Sequence, residues 1–427
     1  MARSDDPAPG SFEGRLPAGR SRGRDWLYVC LFTGVIFAFI PVARSLQALV
    51  AGTAVGRPLF LAIVVVIAAF AVAGVLRYLH RRRAPPSRYV WLAVVVAAFG
   101  YYGWQLRESP EEAVHFVLYG GLGALLFRAL AHRVQDVSIY PAAIALGALV
   151  GTIDETVQWL LPTRVWDIRD IFLNAVSVML MQAVIALVLR PAQIRLRPGA
   201  GGLRLTFALT AGVLLCLALA AINTPARIGW YADRVPGLSY LKTKTNHMME
   251  YGYLYRDPAI GTFRSRYAPK ALQNTDSGRG REAAAILDRY PTRKSMEAFN
   301  PLYTIVTDPF VLEARIHLYR RDRYVERAGE AEKKAPRNRE AVRQLLTVAW
   351  RENLILEKYF PVTLGHSSHR WSPDLRDRMR QANRPATAYD SAVSRHLVTS
   401  FTDWQLAGVL LAGMVGLLIA AARIGRR

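Results

Sequence analysis

The sequence contains few cysteines and few acidic residues for its length. Only Cys30 and Cys216 occur among 427 residues, and each lies inside an apolar run. Two isolated cysteines argue against a disulfide framework and against a cysteine-based zinc site, so we expect both to be small core residues. The chain also lacks internal repeats and low-complexity tracts, which argues against a repeat architecture.

Acidic residues are outnumbered, because 32 Asp and Glu stand against 55 Lys and Arg. A soluble protein this basic would suggest a nucleic-acid partner. Here 52% of the residues are hydrophobic. They gather in runs of roughly 20 residues, long enough to cross a bilayer core, and the basic residues lie between the runs. We therefore predict no nucleic-acid partner, membrane lipid as a partner, and an all-α, polytopic helical membrane protein.

Eight apolar runs predict membrane spans. They are Trp26–Val42, Leu59–Leu79, Tyr89–Trp104, Ala113–Leu130, Ile139–Leu161, Ile168–Val188, Leu205–Ile222 and Trp404–Ile424. Residues 1–25 are predicted to be a disordered basic tail. No small-residue cleavage site follows the first run, so we expect an uncleaved span. The predicted parts are the tail, a seven-span membrane domain (26–222), an extra domain (223–403), and a last span with a basic tail (404–427).

The loops between the spans predict the orientation of the chain. With eight spans, the basic N-terminal tail, the second, fourth and sixth loops and the C-terminal tail all fall on one side. The third loop, around Glu108 and Glu112, is acidic and lies on the other side. Cytoplasmic loops are enriched in Lys and Arg. We therefore expect a multi-pass cell-membrane protein with both termini in the cytoplasm and residues 223–403 outside it.

The extracytoplasmic domain is predicted to be mainly helical and is basic, with 31 Lys and Arg against 20 Asp and Glu. Helical spacing and Pro boundaries predict helices over Pro269–Tyr290, Pro309–Ala328 and Arg337–Tyr359, a loop-rich stretch over Asn246–Phe263 and a solvated turn over 329–340. The positive surplus is consistent with attraction to anionic lipid or cell-wall polyanions, and equally with a soluble charged surface.

Two short motifs in this domain resemble metal-ligand pairs. His247 and Glu250 are three residues apart, as are His366 and His369. Zinc needs three or four ligands, and nothing else completes either set, so we predict no metal and no cofactor. Glu313, Arg315 and His317 predict a salt-bridged structural cluster.

Ionisable residues in spans four to six form the main candidate site. Such residues are costly inside a membrane and need partners. Span four places Glu112, His115 and Tyr119 at positions i, i+3 and i+7, which is one helix face. Span five carries Asp154, Glu155 and Gln158 near its far end, and a short turn with Pro162 and Arg164 follows. Span six places Asp167, Asp170 and Asn174 on one face.

The predicted topology brings these three groups to the same, extracytoplasmic membrane face, which favours a shared pocket. His115, Glu155 and Asp170 are candidate catalytic residues, because a histidine beside a carboxylate can transfer protons. Tyr119, Gln158, Arg164, Asp167 and Asn174 are candidate ligand-binding residues. The structural alternative stays open: Arg164 would pair with Asp167 or Asp170, and His115 would satisfy Glu155.

At these residues the chain resembles the VanZ-like family. The resemblance rests on His115 with Tyr119, on the DExxQ element from Asp154 to Gln158, and on the PxRxxDxxDxxxN element from Pro162 to Asn174. It covers roughly residues 90–190. The chain departs from the family at Glu112, where Lys is frequent, and at Ala175, where Gly often follows the Asn. The resemblance implies a helical membrane domain of the bacterial cell envelope and a link to teicoplanin resistance, without an assigned mechanism.

Three functions remain open at this point. The first is an envelope protein that binds a cell-wall or lipid-linked ligand at the outer pocket. The second is an intramembrane hydrolase or transferase that acts on a lipid-linked substrate. The third, a proton-coupled transporter, is least favoured, because the spans show no paired Gly- or Pro-broken halves.

Overall fold

The structure is a computed structural model that describes residues 21–51, 56–107, 110–162, 164–292, 294–334, 339–384 and 388–424. The chain divides into two compact units. The first, here called the membrane unit, comprises Met1–Ala218 with Gly408–Arg427, and the second, here called the C-terminal unit, comprises Leu219–Ala407. Most of the predicted N-terminal tail, as well as Glu108, lies outside the described residues.

Long helices form the membrane unit, and two of them extend past its limits at Ala218 and Gly408 into the C-terminal unit. They are α1 (Arg22–Ala51), α2 (Gly56–Arg81), α3 (Pro86–Gln105), α4 (Pro110–Leu130), α5 (Ile139–Trp159), α6 (Ile168–Ala183) with a π-helical turn (Val184–Leu189), α7 (Ala200–Ile222) and α15 (Asp403–Ile424). Among the described residues, five helical segments are long and apolar enough to cross a membrane: Arg22–Pro41, Glu112–Leu130, Ile168–Leu189, Ala200–Ile222 and Asp403–Ile424. These segments indicate a multi-pass membrane protein.

The other three of the eight predicted spans coincide with the helices α2, α3 and α5. They are not among the five segments found in the described residues. For α2 this says nothing about its hydropathy, because the side chains of its first turns lie outside the described part of the chain. In α5 the reason is chemical, because Asp154 and Glu155 lower the mean hydropathy of an otherwise apolar helix. All eight predicted spans are helices in the structure, and five of them are candidate membrane spans among the described residues.

Helix α4 lies at the centre of the membrane unit and packs against α1, α5 and α6. Tyr119, Leu122 and Leu126 of α4 are fully buried in this core. Glycine permits the close approach of α5 and α6, because a Cβ atom at Gly147 would lie only 2.6 Å from Val178 Cγ2. Small residues at such crossings let helix backbones come together in membranes.

The expectation of two core cysteines is wrong for Cys30, which is exposed, while Cys216 is half-buried.

The C-terminal unit is largely helical. Its elements are α8 (Pro225–Ala232), a 3₁₀ turn (Ser239–Thr243), β1 (Tyr253–Asp257), β2 (Gly261–Ser265), α9 (Pro269–Arg289), α10 (Met296–Phe299), α11 (Pro309–Lys334), α12 (Arg339–Tyr359), α13 (Pro361–His366) and α14 (Pro373–Ala382). The three predicted helices are confirmed as α9, α11 and α12. The expected turn over 329–340 is wrong in its first part, because α11 continues to Lys334.

A β-hairpin replaces much of the stretch that was predicted to be loop-rich. β1 and β2 pair antiparallel, with Tyr253 opposite Ser265 and Asp257 opposite Gly261. The Gly and Pro residues that suggested a loop lie at and around the hairpin turn. Gly261 has φ +109°, and a Cβ atom there would lie 2.3 Å from the Tyr389 carbonyl oxygen, so only glycine fits. The alternating residues Tyr255 and Phe263 enter the core of the unit.

Buried charges connect the helices of this unit. Glu352 of α12 is fully buried, and it accepts hydrogen bonds from His317 Nδ1 (2.6 Å) and Arg320 Nε (2.9 Å) of α11. Glu313 lies 3.5 Å from Arg266. Glu313 and His317 are therefore each in an ion pair, as predicted, but with separate partners, Arg266 and Glu352. Arg315 instead donates to the Thr292 carbonyl oxygen.

Candidate functional site

Three helix ends of the membrane unit meet at the candidate site. The beginning of α4 supplies Glu112 and His115, the end of α5 supplies Glu155 and Gln158, and the beginning of α6 supplies Asp170 and Asn174. The turn between α5 and α6 adds Arg164. This convergence follows from short antiparallel connections and from close helix packing, since a Cβ atom at Gly151 would lie 3.2 Å from Asn174 Cβ.

Helix α6 begins at a cap that also contacts α5. Asp167 is the N-cap residue, and its carboxylate accepts a hydrogen bond from the Arg169 backbone N–H at 2.8 Å. The backbone N–H of Asp167 donates to Glu155 Oε2 at 3.1 Å. Capping satisfies backbone donors that the first helical turn leaves open. Asp167 therefore positions α6 against α5, and its side chain does not line the cavity.

Gln158 is the centre of a hydrogen-bond chain along the end of α5. Its Nε2 donates to Glu155 Oε1 at 2.8 Å, and its Oε1 accepts from Arg164 Nε at 2.9 Å and also from Arg164 Nη2. Gln158 and Glu155 are 2% and 1% exposed. The sequence-based alternative paired Arg164 with Asp167 or Asp170, and the structure shows the uncharged side-chain amide of Gln158 as one of its partners.

A second group of contacts joins α4 to α5 through Asp154. The Tyr119 hydroxyl donates to Asp154 Oδ2 at 3.0 Å, and His115 Nδ1 lies 3.7 Å from the same oxygen. Asp154 and Tyr119 are both fully buried. The alternative in which His115 satisfies Glu155 is therefore corrected, because the carboxylate beside His115 is that of Asp154.

A small cavity lies between these groups. It is lined by polar and charged side chains and one leucine: Glu112, His115, Glu155, Gln158, Arg164, Asp170, Leu173 and Asn174. Its volume of about 20 Å³ suits one water-sized group. Three atoms of its lining side chains, Glu112 Oε2, His115 Nε2 and Asn174 Nδ2, are buried and make no hydrogen bond within the described residues. Of these, Glu112 Oε2 has an ion-pair partner, Arg169 Nη2 at 3.2 Å.

Six of the eight candidate residues from the sequence line this one cavity: His115, Glu155, Gln158, Arg164, Asp170 and Asn174. Tyr119 and Asp167 do not line the cavity, but they contact residues of α5 beside it, Asp154 and Glu155 respectively. The sequence-based candidates did not include Asp154, although it belongs to the DExxQ element. Its spacing of four residues from Gln158 puts both on one helix face, and a carboxylate inside a membrane needs a partner. Together these signals would have identified it.

The lining of the cavity contains more acidic than basic residues. Glu112, Glu155 and Asp170 are acidic, and Arg164 is the basic residue of the lining. Outside the lining, Arg169 Nη2 lies 3.2 Å from Glu112 Oε2. Over the described ranges, no three His, Cys, Asp or Glu residues are close enough to hold a metal ion.

The two histidines of the second metal-like pair in the sequence each have a backbone partner. His366 Nδ1 and His369 Nε2 lie within hydrogen-bond distance of the carbonyl oxygens of Val362 and Leu287.

Comparison with known proteins relates this site to one family. The family model described as VanZ/LLP1 matches residues 26–189, a range that contains every residue of the cavity. No curated protein and no solved structure matches the chain. Residues 26–189 are therefore a VanZ/LLP1 family domain, and the chain extends it with an additional C-terminal region.

Proposed function

We propose that this protein is a VanZ-like membrane protein of the bacterial cell envelope whose cavity binds a polar group of an envelope or lipid-linked ligand. The observation that carries the proposal is the pair of unsatisfied atoms at the cavity. His115 Nε2 and Asn174 Nδ2 are buried without a hydrogen bond in the described part of the chain. Leaving such a group unsatisfied costs about 1–3 kcal/mol. A ligand atom that bonds to both would recover this free energy.

The size and chemistry of the cavity define the part of the ligand that enters it. A volume of about 20 Å³ accepts a hydroxyl, an amine or a single oxygen of a larger group. The carboxylates of Glu155 and Asp170 are hydrogen-bond acceptors, and the side-chain amide of Asn174 is a donor. The proposed ligand therefore inserts one small polar group, while its larger part stays outside the cavity.

The proposed orientation connects the cavity with the envelope. If both termini are cytoplasmic, α4 begins and α5 ends on the extracytoplasmic side, so the cavity opens to cell-wall and lipid-linked compounds. The family resemblance implies a contribution to teicoplanin resistance. In this proposal the contribution arises from binding or shielding an envelope ligand, with Arg164 and Asp170 next to the entering group.

Binding to the purified full-length protein tests the proposal. A fluorescently labelled lipid-linked cell-wall precursor serves as the probe in detergent micelles. Asn174→Leu removes the amide with little change of volume, and His115→Gln removes the imidazole. Both variants should bind the probe at least tenfold more weakly than the parent. Phe172→Leu, at a position that is 60% exposed on the same helix as Asn174, is the matched control and should bind normally.

Two results would count against binding at this cavity. One is equal affinity of the parent, Asn174→Leu and His115→Gln for the probe. The other is a loss of affinity that Phe172→Leu shares, which would indicate a general effect on α6. Teicoplanin susceptibility of cells that produce each variant provides the corresponding physiological measurement.

The arrangement of His115 favours one second candidate, an intramembrane hydrolase or transferase. Asp154 lies beside Nδ1 at 3.7 Å, while Nε2 has no hydrogen bond to any described residue. A carboxylate on one ring nitrogen leaves the other to accept or donate a proton, as in a general base. The same binding mixture distinguishes the candidates, because covalent change of the lipid-linked probe indicates an enzyme and unchanged recovery indicates a binder.

A further inference from the structure

The segment that follows α7 carries exposed apolar side chains close to the end of a membrane span. α8 begins at Pro225, three residues after Ile222, the last residue of α7. Trp230 is 62% exposed and Val235 is 45% exposed. Tryptophan is enriched where spans leave the bilayer, because its ring is apolar and its N–H is polar. The nearness to the span end therefore indicates what covers these side chains, namely the membrane interface.

Arg227 of α8 connects the ends of two candidate spans. Its guanidinium donates to the carbonyl oxygen of Ile222, pairs with Asp403 at 2.7 Å and stacks on the ring of Trp404 at 4.6 Å. Ile222 is the last residue of α7, and Asp403 is the first residue of α15. These contacts hold the two span ends side by side, so α8 starts at the boundary of the membrane. Trp404, at the same boundary, is 66% exposed.

Arg234 holds an uncompensated charge over the exposed Trp230. Its guanidinium lies 4.7 Å from the centre of the Trp230 ring, and Nη1 donates to the Trp230 carbonyl oxygen at 2.7 Å. The nearby acidic residue Asp233 pairs with Lys242 at 2.6 Å. Among the residues with described positions, no carboxylate forms an ion pair with Arg234. Most of its N–H donors are therefore open to an external anion.

We propose that residues 225–235 form an interfacial anchor that binds the phosphate of an anionic phospholipid. Trp230 and Val235 enter the interface, and Arg234 donates to the lipid phosphate above them. An arginine suits this task because its planar fork binds phosphate oxygens while its face stacks on an aromatic ring. The surplus of 31 basic over 20 acidic residues in 223–403 attracts the same anionic surface.

The depth of residue 235 tests the membrane contact. Replacement of Cys30 and Cys216 by Ala gives a cysteine-free full-length chain, into which Val235→Cys introduces one fluorescent label. Nanodiscs of equal amounts of phosphatidylglycerol and phosphatidylcholine carry a spin-labelled lipid as quencher. The label at residue 235 should be quenched several-fold more strongly than one at Ser277→Cys, an exposed position on α9. Equal quenching at the two positions would overturn the anchor.

Lipid selection tests the role of Arg234 separately. The parent and Arg234→Gln are purified from the same nanodiscs, and the retained phosphatidylglycerol and phosphatidylcholine are quantified. Arg234→Gln should lower the retained ratio of phosphatidylglycerol to phosphatidylcholine about fivefold, the factor for about 1 kcal/mol per basic residue at an anionic surface. The exposed Arg378→Gln on α14 is the matched control and should leave the ratio unchanged. An unchanged ratio for Arg234→Gln, or an equal loss in both variants, would refute phosphate binding by Arg234.

Discussion

The Tyr119 hydroxyl donates a 3.0 Å hydrogen bond to Asp154 Oδ2, and both side chains are completely buried inside the membrane unit. This bond joins α4 to α5 directly behind the candidate cavity. It also places the carboxylate 3.7 Å from His115 Nδ1. The pair therefore holds the wall that carries His115, and changes to it should alter both stability and the cavity.

Removal of the Tyr119 hydroxyl should destabilise the membrane unit. Tyr119→Phe removes a donor to the buried carboxyl group of Asp154, which costs about 1–3 kcal/mol. Asp154→Asn in the same chain should add less than its own single effect, because the two residues share one interaction. Thermal unfolding in detergent measures both. Tyr140→Phe, at a half-buried tyrosine of α5, is the control; if it lowers stability as much as Tyr119→Phe, the bond has no special role.

Gly147→Ala should separate α5 from α6 and disturb the cavity. The new methyl group would lie 2.6 Å from Val178 Cγ2 and 3.0 Å from Cγ1, too close for normal contact. Overpacking of this kind costs about 1–3 kcal/mol. Thermal unfolding and probe binding should both weaken, and Val178→Ala in the same chain should restore part of each.

Gly74→Ala provides the matched comparison for Gly147→Ala. Gly74 lies in α2, and nothing lies within 4 Å of a Cβ atom placed there. This variant should unfold at the temperature of the parent or slightly above it. If Gly147→Ala behaves like Gly74→Ala, the close contact of α5 and α6 does not limit the packing.

The C-terminal unit should lose stability as the pH falls below about 6.5. Burial lowers the pKa of His247 from 6.5 to about 4. The unfolded chain therefore takes up a proton near pH 6.5, and the folded chain does so only near pH 4. The contribution of the neutral His247 is complete above pH 6.5, falls between 6.5 and about 4, and is lost below that, with a total loss from this group of at most about 3 kcal/mol.

Chemical unfolding of the full chain at several pH values measures the effect of His247. His247→Gln should remove the loss of stability between pH 6.5 and 4. Met248→Leu changes the neighbouring buried residue without removing a titratable group, and it should keep the pH dependence whatever its effect on absolute stability. A pH dependence that persists unchanged in His247→Gln would assign it to another group.

The proposed orientation predicts where reporter enzymes become active. A fusion after Asn300, in the C-terminal unit, should report an extracytoplasmic position, and a fusion after Arg133, between α4 and α5, should report a cytoplasmic one. The reason is the concentration of Lys and Arg in cytoplasmic loops. A cytoplasmic result after Asn300 would reverse the orientation and move the cavity to the other side of the membrane.

The sequence by itself determined the helical membrane class and the position of the site. Runs of apolar residues identify helices without reference to their neighbours, since each hydrocarbon-length run satisfies its own backbone hydrogen bonds. Helical spacing and the alternation of spans brought His115, Glu155 and Asp170 to one membrane face. The same local signals located α9, α11 and α12.

Only the tertiary structure decided which polar groups are partners. Asp154 and Glu155 are adjacent in sequence. Asp154 contacts Tyr119 of α4, whereas Glu155 contacts Gln158, and this difference depends on how α5 is turned about its own axis relative to α4. The hairpin of β1 and β2 was equally inaccessible, because its short strands are stable only when Tyr255 and Phe263 pack against the helices of the C-terminal unit. The local sequence predicts whether a segment forms a helix or a strand, whereas the residues it packs against lie far along the chain.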